Sequence, residues 1–370
     1  MIFDVSDKAF KKIFDDDLLF LPKRWDGSDF AKELDSLYKH YISQIMSANS
    51  SEPGNVKQIV TLDDIRKVTK LLIQTVKEYL NGFPAKAYAT FSEIMKYLIK
   101  VPLSIYDQSR DTFYKPGKRN NNPLTLYRAA KVTDNKPYPA TRLFHTPYNL
   151  RSKVSTNRYS IAGFPSLYLG SSLSLCCDEI KAVPQRDLIL VSAFHTDIAD
   201  LYYNEIQVID LAIKPQDFFE QGDEDKGRNI PAYMLSADDI KLAYLLWYPL
   251  IAACSYIRVN KEDPFAAEYI IPQLLMQWVH ENTGECEDAK LTGIRYFSCA
   301  SVRASDRGFN YVFPTSGESD ANEPQFCKYL VKAFTLTEPV YLHEYDNVSD
   351  CEIDLEHREY KSIGIKKIIR

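Results

Sequence analysis

The sequence predicts an α+β protein, and three observations predict it. The first 120 residues repeat apolar side chains at helical spacing, the remainder carries short β-rich runs, and those runs do not alternate with helices as regular βαβ units. With 45% hydrophobic residues, 25 Tyr and 19 Phe, the chain has the apolar and aromatic surface for a packed core that a disordered chain lacks.

In the N-terminal part, Leu34, Leu37, Tyr38, Tyr41, Ile42 and Ile45 recur at helical spacing until the turn-rich SANSSEPG. A second helix is expected from about Thr61, with Leu62, Ile65, Val68, Leu72, Val76, Tyr79 and Leu80 on one face. It ends at Asn81-Gly82 with Pro84 beyond. A third, Ala85 to Lys100, aligns Tyr88, Phe91, Ile94, Met95 and Leu98. Nothing here gathers polar groups for catalysis. The polar, turn-prone stretch at about 110 to 122 reads as a linker, which divides a helical domain over 1–120 from a second domain over 121–370.

Beyond the linker, strands are expected at 124–129, 165–170, 187–194, 206–213, 293–298 and 309–313. Helices are expected after Tyr168, from Ser236 to about Cys254, and around Gln273 to His280. Leu242 to Ile257 is free of charge, but its 16 residues contain Pro249, and a membrane span needs roughly 20 mainly apolar residues. It reads as a buried helix. The N-terminus mixes Asp and Lys too early for a signal-peptide apolar region, so a cytoplasmic protein is expected. Seven cysteines, two of them adjacent and none in a CxxC, read as free thiols in a reducing compartment. The net charge of −5 gives no positive field for nucleic acid or an anionic membrane, and neither is expected as a partner.

Absent motifs narrow the chemistry. Without GxGxxG or GxxxxGK[ST], the usual dinucleotide and triphosphate turns are missing. Without GxSxG there is no hydrolase elbow, and without HExxH or zinc-like Cys/His spacing no metal site is expected. The unusual residues concentrate in 143–179. There Arg158-Tyr159-Ser160 precedes a turn at Ala162-Gly163, a short strand puts Tyr168 near its end, and Ser171 or Ser172 caps a helix holding Glu179 in roughly its second turn. If the turn folds Arg158 back over the strand's end, arginine, tyrosine and glutamate converge as a nucleotide-sugar site would require.

This segment resembles the RES-domain family of NAD-consuming toxins, named for its arginine, glutamate and serine. The spacing of Arg158, Tyr168 and Glu179 fits that family's catalytic pattern. The resemblance extends to Tyr127-Arg128 upstream, and to GIRYFS and NYVFP downstream, which place Ser298 at the family's serine. It is strongest to a longer subgroup with FHxP, RxS, LYLGxS and YIIPQ wording, matched by Phe144-His145-Pro147, Arg158-Ser160, Leu167 to Ser171 and Tyr269 to Gln273. Coverage runs from about residue 124 to 340. The helical N-terminal 120 residues and the insert between Lys214 and Ala237 depart from the short toxins.

The resemblance implies a fold similar to ADP-ribosyltransferases and cleavage of the nicotinamide–ribose bond of NAD by phosphate, water or another acceptor. NAD is then the substrate, depleted by a toxin or defence effector that arrests growth, and no further cofactor is expected. Leaving nicotinamide creates an oxocarbenium-like ribose that a fixed carboxylate stabilises, the role given to Glu179. Arg128 and Arg158 suit a pyrophosphate, because a guanidinium fork matches phosphate oxygens. Tyr168 offers a ring to nicotinamide and a hydroxyl to ribose. Ser298 supplies a further hydrogen bond, His145 is a weaker candidate on the acceptor side, and Arg151 and Ser160 line the site.

Each residue has a plainer reading in isolation. Glu179 alone is a solvated helix residue, Arg158 a surface cation, Tyr168 a half-buried strand residue, Arg128 a sheet-edge ion-pair partner and Ser298 a strand hydroxyl. His145, beside Pro147, reads more readily as structural than catalytic. Cys176 and Cys177 read as small buried side chains. Two other functions stay open: ADP-ribose transfer to a protein or nucleic acid by the same site, and a catalytically silent helical interaction protein. The apolar N-terminal faces call for cover by the catalytic domain, by a second protomer in a homo-oligomer, or by an inhibitory protein, which for a toxin is an antitoxin.

Overall fold

A computed structural model describes residues 3–4, 6–48, 58–99, 101, 105–107, 125–196, 207–216, 218, 237–260, 262–283, 292–301, 303–315, 319 and 325–363. The fold is α+β. Its helices are α1 (Asp7–Phe14), α2 (Phe30–Ala48), α3 (Leu62–Leu80), α4 (Pro84–Leu98), α5 (Leu173–Glu179), α6 (Ala237–Ala253), α7 (Ile270–Thr283), α8 (Lys328–Ala333) and α9 (Val348–Glu356). The strands are β1 (Ile105–Asp107), β2 (Leu126–Lys131), β3 (Ser166–Gly170), β4 (Ile189–Thr196), β5 (Gln207–Asp210), β6 (Thr292–Phe297), β7 (Phe309–Pro314), β8 (Phe334–Thr337), β9 (Val340–Tyr341) and β10 (Tyr360–Ser362).

The chain divides into two compact units: Met1–Tyr106 with Asp210–Trp278, and Asp107–Ile209 with Val279–Arg370. The linker expected at 110–122 lies outside the described residues, as does most of the insert between Lys214 and Ala237. Residues 210–278, expected in the second domain, group with the N-terminal helices. The reason is α6: every residue from Leu242 to Cys254 is buried, including Pro249, which interrupts the helix's ladder. A helix apolar all round needs other helices about it.

In the first unit the expected helices form with the expected signals. Thr61 caps α3 in a reciprocal capping box with Asp64, and α3 ends at Asn81, followed by Gly82 at φ +85° and Pro84 in the first turn of α4. Pro249 has no N–H to give the carbonyl of Leu245, four residues back. The Tyr41 hydroxyl donates to that oxygen at 2.8 Å, and Tyr38 donates to the Pro249 carbonyl at 2.8 Å.

In the second unit the sheet runs β5-β6-β7-β3-β2-β4-β8-β10, with β9 also pairing β4. Pairs β6/β7, β7/β3, β2/β4, β4/β8 and β8/β10 are antiparallel over three to six residues. Strands β2 and β3 pair only at Tyr127 and Gly170. The sheet is thus two halves joined at one registered pair, with Arg128 next to that pair on β2 and Tyr168 two residues before it on β3. The short α5 packs with Tyr127, Val191, Cys351 and Leu355 in one apolar cluster.

Candidate active site

The turn from β3 into α5 is built by serines. Ser172 caps α5 by accepting from the Leu175 N–H at 3.2 Å and donates to the Arg307 carbonyl at 2.9 Å. Ser171 accepts from the Phe309 N–H at 2.8 Å, which ties the start of β7 to the end of β3. Gly308 is required here: its φ is +135°, and a Cβ would lie 2.4 Å from Ser171 Oγ. After seven residues α5 ends on Glu179.

A carboxylate at a helix C-terminus faces the negative end of the helix dipole. Donors from the neighbouring strands offset this. Glu179 Oε1 accepts from Ser298 Oγ at 2.6 Å and from Asn310 Nδ2 at 2.5 Å. Ser298 is 0% and Asn310 5% exposed, whereas Glu179 itself is exposed, so its inner oxygen rests on a dry base and its residue still meets solvent. Among the described residues Oε2 has no hydrogen-bond partner. Ser298 Oγ also accepts from the Ala300 N–H at 3.1 Å, which fixes the hydroxyl's orientation toward the carboxylate.

Sheet register brings the rest of the group alongside. Asn310 lies opposite Gly170 on β3 and Tyr296 on β6, and Tyr168 is two residues before Gly170, so Tyr168, Asn310 and Tyr296 share one face. The Tyr296 phenol is pushed well above its ordinary pKa by burial first, then by Glu179 and Tyr168, with Arg158 acting the other way. One buried phenol therefore lies within electrostatic reach of all three residues expected to act together. Arg158, 8% exposed, sits at the corner of a tight turn in which Asn157 and Ser160 bond each other's backbone at 2.9 and 3.2 Å. The expected turn at Ala162-Gly163 follows it, closed by the Phe164 N–H to Ile161 carbonyl bond of 3.2 Å with Gly163 at φ +79°. Ser160 fixes Tyr168: the phenol lies 2.7 Å from Ser160 Oγ, which donates to Ser166 Oγ at 3.0 Å.

Arg128 is half-buried where β2 leaves β3, and its Nη1 donates to the carbonyls of Phe144 at 2.7 Å and Leu143 at 3.2 Å. Burial first and then neighbouring Arg142 lower its pKa to about 10, with Cys176 and Tyr168 acting the other way. The Arg151 guanidinium rests 4.6 Å from the Tyr148 ring. Among the described residues, Arg128, Arg142 and Arg151 have no carboxylate partner.

His145 does not offer an acceptor-side nitrogen. It is fully buried, its Nδ1 lies 2.9 Å from the Thr146 carbonyl, and its Nε2 accepts from the Cys327 N–H at 2.8 Å. Both ring nitrogens are used, and burial drives its pKa down to about 4. The ring is a neutral strap between the 143–153 loop and the segment before α8, where the Tyr148 N–H to Gln325 carbonyl bond of 2.8 Å does the same work. Cys176 and Cys177 are buried, with burial raising both thiols, Cys177 to about 11.

Asn310, Tyr296 and Arg142 were not singled out by sequence. Asn310 carried a signal: it is the lone amide in FNYVF, and an amide inside a strand whose other residues are almost all buried needs a partner. Arg142, exposed in a short 3₁₀ turn, carried none.

No protein-family model matches the chain, and no solved structure matches it. Among characterised sequences it is similar to a protein of Bacillus subtilis (strain 168) described as "Putative toxin YopC", with 27% identity over 341 residues, 89% of this chain and 69% of the relative. No helix among the described residues is long and apolar enough to cross a membrane.

Proposed function

We propose that this chain is a toxin that consumes NAD by breaking its nicotinamide–ribose bond. The observation that carries the reading is the Glu179 carboxylate, fixed through one oxygen by Ser298 and Asn310, with Tyr168 and Arg158 gathered about the same buried phenol. The toxin part is supported by similarity over most of the chain to a protein described as a toxin. The NAD part rests on the residue chemistry and on the RES-type pattern of Arg158, Tyr168, Glu179 and Ser298.

In this reading the bond from ribose C1′ to the nicotinamide nitrogen breaks with its electron pair leaving on nicotinamide. The positive charge that develops on ribose is stabilised by ionised Glu179. An oxygen of phosphate or water then forms the new bond to C1′, and a water's proton passes to solvent. Arg128 and Arg158, with Arg142 and Arg151 nearby, hold the pyrophosphate through guanidinium forks. Tyr168, held by Ser160, lies against the nicotinamide ribose.

The test is incubation of the purified chain with NAD, with and without phosphate, followed by product identification. Free nicotinamide with ADP-ribose or its phosphorylated form supports the proposal. Label fixed to a macromolecule instead would make the chain a transferase acting through the same site. Intact NAD in the presence of folded protein overturns it.

A further inference from the structure

The carboxylate of Glu179 is held by two donors of different kinds. A serine hydroxyl can donate or accept, so Ser298 tolerates either protonation state of its partner. A primary amide nitrogen only donates. Asn310 Nδ2 lies 2.5 Å from Oε1, and Asn310 is 5% exposed, so this bond is made away from water and cannot be exchanged for one to solvent. Asn310 is itself fixed: it lies in the middle strand of three, with Gly170 opposite on one side and Tyr296 on the other. The absent side chain at Gly170 matters too, since a Cβ there would meet Cys176 Sγ at 2.7 Å and stand 3.7 Å from Asn310 Oδ1.

We infer that Asn310 is a positioning residue whose amide holds Glu179 with Oε1 turned inward, leaving Oε2 as the oxygen offered to substrate. The inference deepens the NAD-cleaving reading and rests on it for the identity of the substrate.

Two substitutions of similar volume separate positioning from packing, both in the full-length chain. Asn310→Leu removes the donor. Asn310→Asp replaces it with a group that donates only when protonated, and two carboxyls at this separation share a proton at a raised pKa. Asn310→Leu is expected to lower kcat for NAD about 10- to 100-fold at every pH with KM little changed. Asn310→Asp is expected to recover activity as pH falls from about 8 to 6, where the Asp O–H stands in for the amide, while the natural chain shows no such gain. Equal, pH-independent losses in both variants would reduce Asn310 to packing and overturn the inference.

A second measurement does not depend on the substrate. The Glu179 carboxyl is followed by ¹³C NMR, its signal identified by its absence in Glu179→Gln. Loss of the amide donor in Asn310→Leu is expected to shift and broaden that signal at one fixed neutral pH, because the carboxylate is no longer held in one orientation. An unchanged signal overturns the positioning role even where NAD is cleaved. A shifted signal in the variant, with NAD left intact by the natural chain, would uphold the held carboxylate and remove NAD as its substrate.

Discussion

Two helical glutamates, one in each unit, receive hydrogen bonds from side chains and end in opposite conditions. Glu78 on α3 is buried and both its oxygens are taken: Oε1 by Gln74 at 2.8 Å and Lys86 at 3.2 Å, Oε2 by Thr90 at 2.7 Å. Burial alone would raise its pKa, but those donors hold it below the ordinary value. Glu179 on α5 is exposed, with one oxygen fixed from beneath by Ser298 and Asn310. A carboxylate whose acceptor sites are filled by its own protein has nothing left to offer a ligand, and it holds helices together. A carboxylate filled on one side is oriented and still able to bind.

The largest expected effect breaks this comparison at its centre. Glu179→Gln keeps an oxygen for Ser298 and Asn310 and removes the charge. NAD cleavage should fall on the order of a hundred- to a thousandfold, about 3 to 4 kcal/mol of transition-state stabilisation. Thermal stability should stay within about 0.5 kcal/mol, because the residue is exposed at a helix end. Calorimetry and a turnover assay on the same preparation check both halves. Turnover unchanged in folded protein would make Glu179 as structural as Glu78.

The next effect concerns acid. His145 and His195 are each lowered by burial to about 4, against about 6.5 for an ordinary histidine. A group that is neutral when folded and titrates near 6.5 when unfolded binds fewer protons in the folded state. Stability is therefore complete above about 6.5 and is lost as pH falls from 6.5 toward 4. Thermal midpoints over that window should decline. In His145→Leu the decline should be shallower, and stability at neutral pH lower by about 2 kcal/mol, because the buried Cys327 N–H loses its acceptor. A slope identical to that of the natural chain would show that His145 is charged when folded.

How far the sequence reaches follows the same division. Strands β2, β3, β4, β6 and β7 fall within two or three residues of their expected spans, because each is a short β-rich run bounded by turn residues. Strands β8, β9 and β10 and helices α8 and α9 were not foreseen. Three of these five have four residues or fewer, and α9, VSDCEIDLE, buries only Cys351 and Leu355, too little periodicity to detect. Grouping of 210–278 with the N-terminal helices was hidden because hydrophobicity shows that α6 is enclosed and not by what. In the candidate site, Arg158, Tyr168 and Glu179 were singled out by local spacing and Ser298 by the family resemblance. Asn310 meets Glu179 across 131 positions, and only strand register reveals such a pair.

A smaller effect sharpens the contrast between partnered and unpartnered cations. Arg128 uses Nη1 on two carbonyls, and among the described residues Nε and Nη2 have no hydrogen-bond partner. Arg128→Lys keeps one charge and loses the planar fork. NAD affinity by titration calorimetry should weaken about tenfold, near 1.4 kcal/mol. Equal affinity would place the pyrophosphate elsewhere.

The smallest effect tests the structural side of the comparison. Tyr41 is fully buried with its ring 4.5 Å from that of Tyr248, and its hydroxyl donates to the Leu245 carbonyl that Pro249 cannot serve. Tyr41→Phe preserves the ring packing and strands that carbonyl, at about 1 kcal/mol and a fall of roughly 2 to 4 °C in Tm, with NAD turnover unchanged. The cause can be isolated by a second substitution. Pro249→Ala restores an N–H four residues after Leu245, so the carbonyl gains a helical donor and the tyrosine hydroxyl becomes dispensable. In that background Tyr41→Phe should cost clearly less than it does alone, a coupling of about 0.5 kcal/mol or more in a double-mutant cycle. Strict additivity would mean that the hydroxyl stabilises the first unit by some route other than repairing the proline's break in α6.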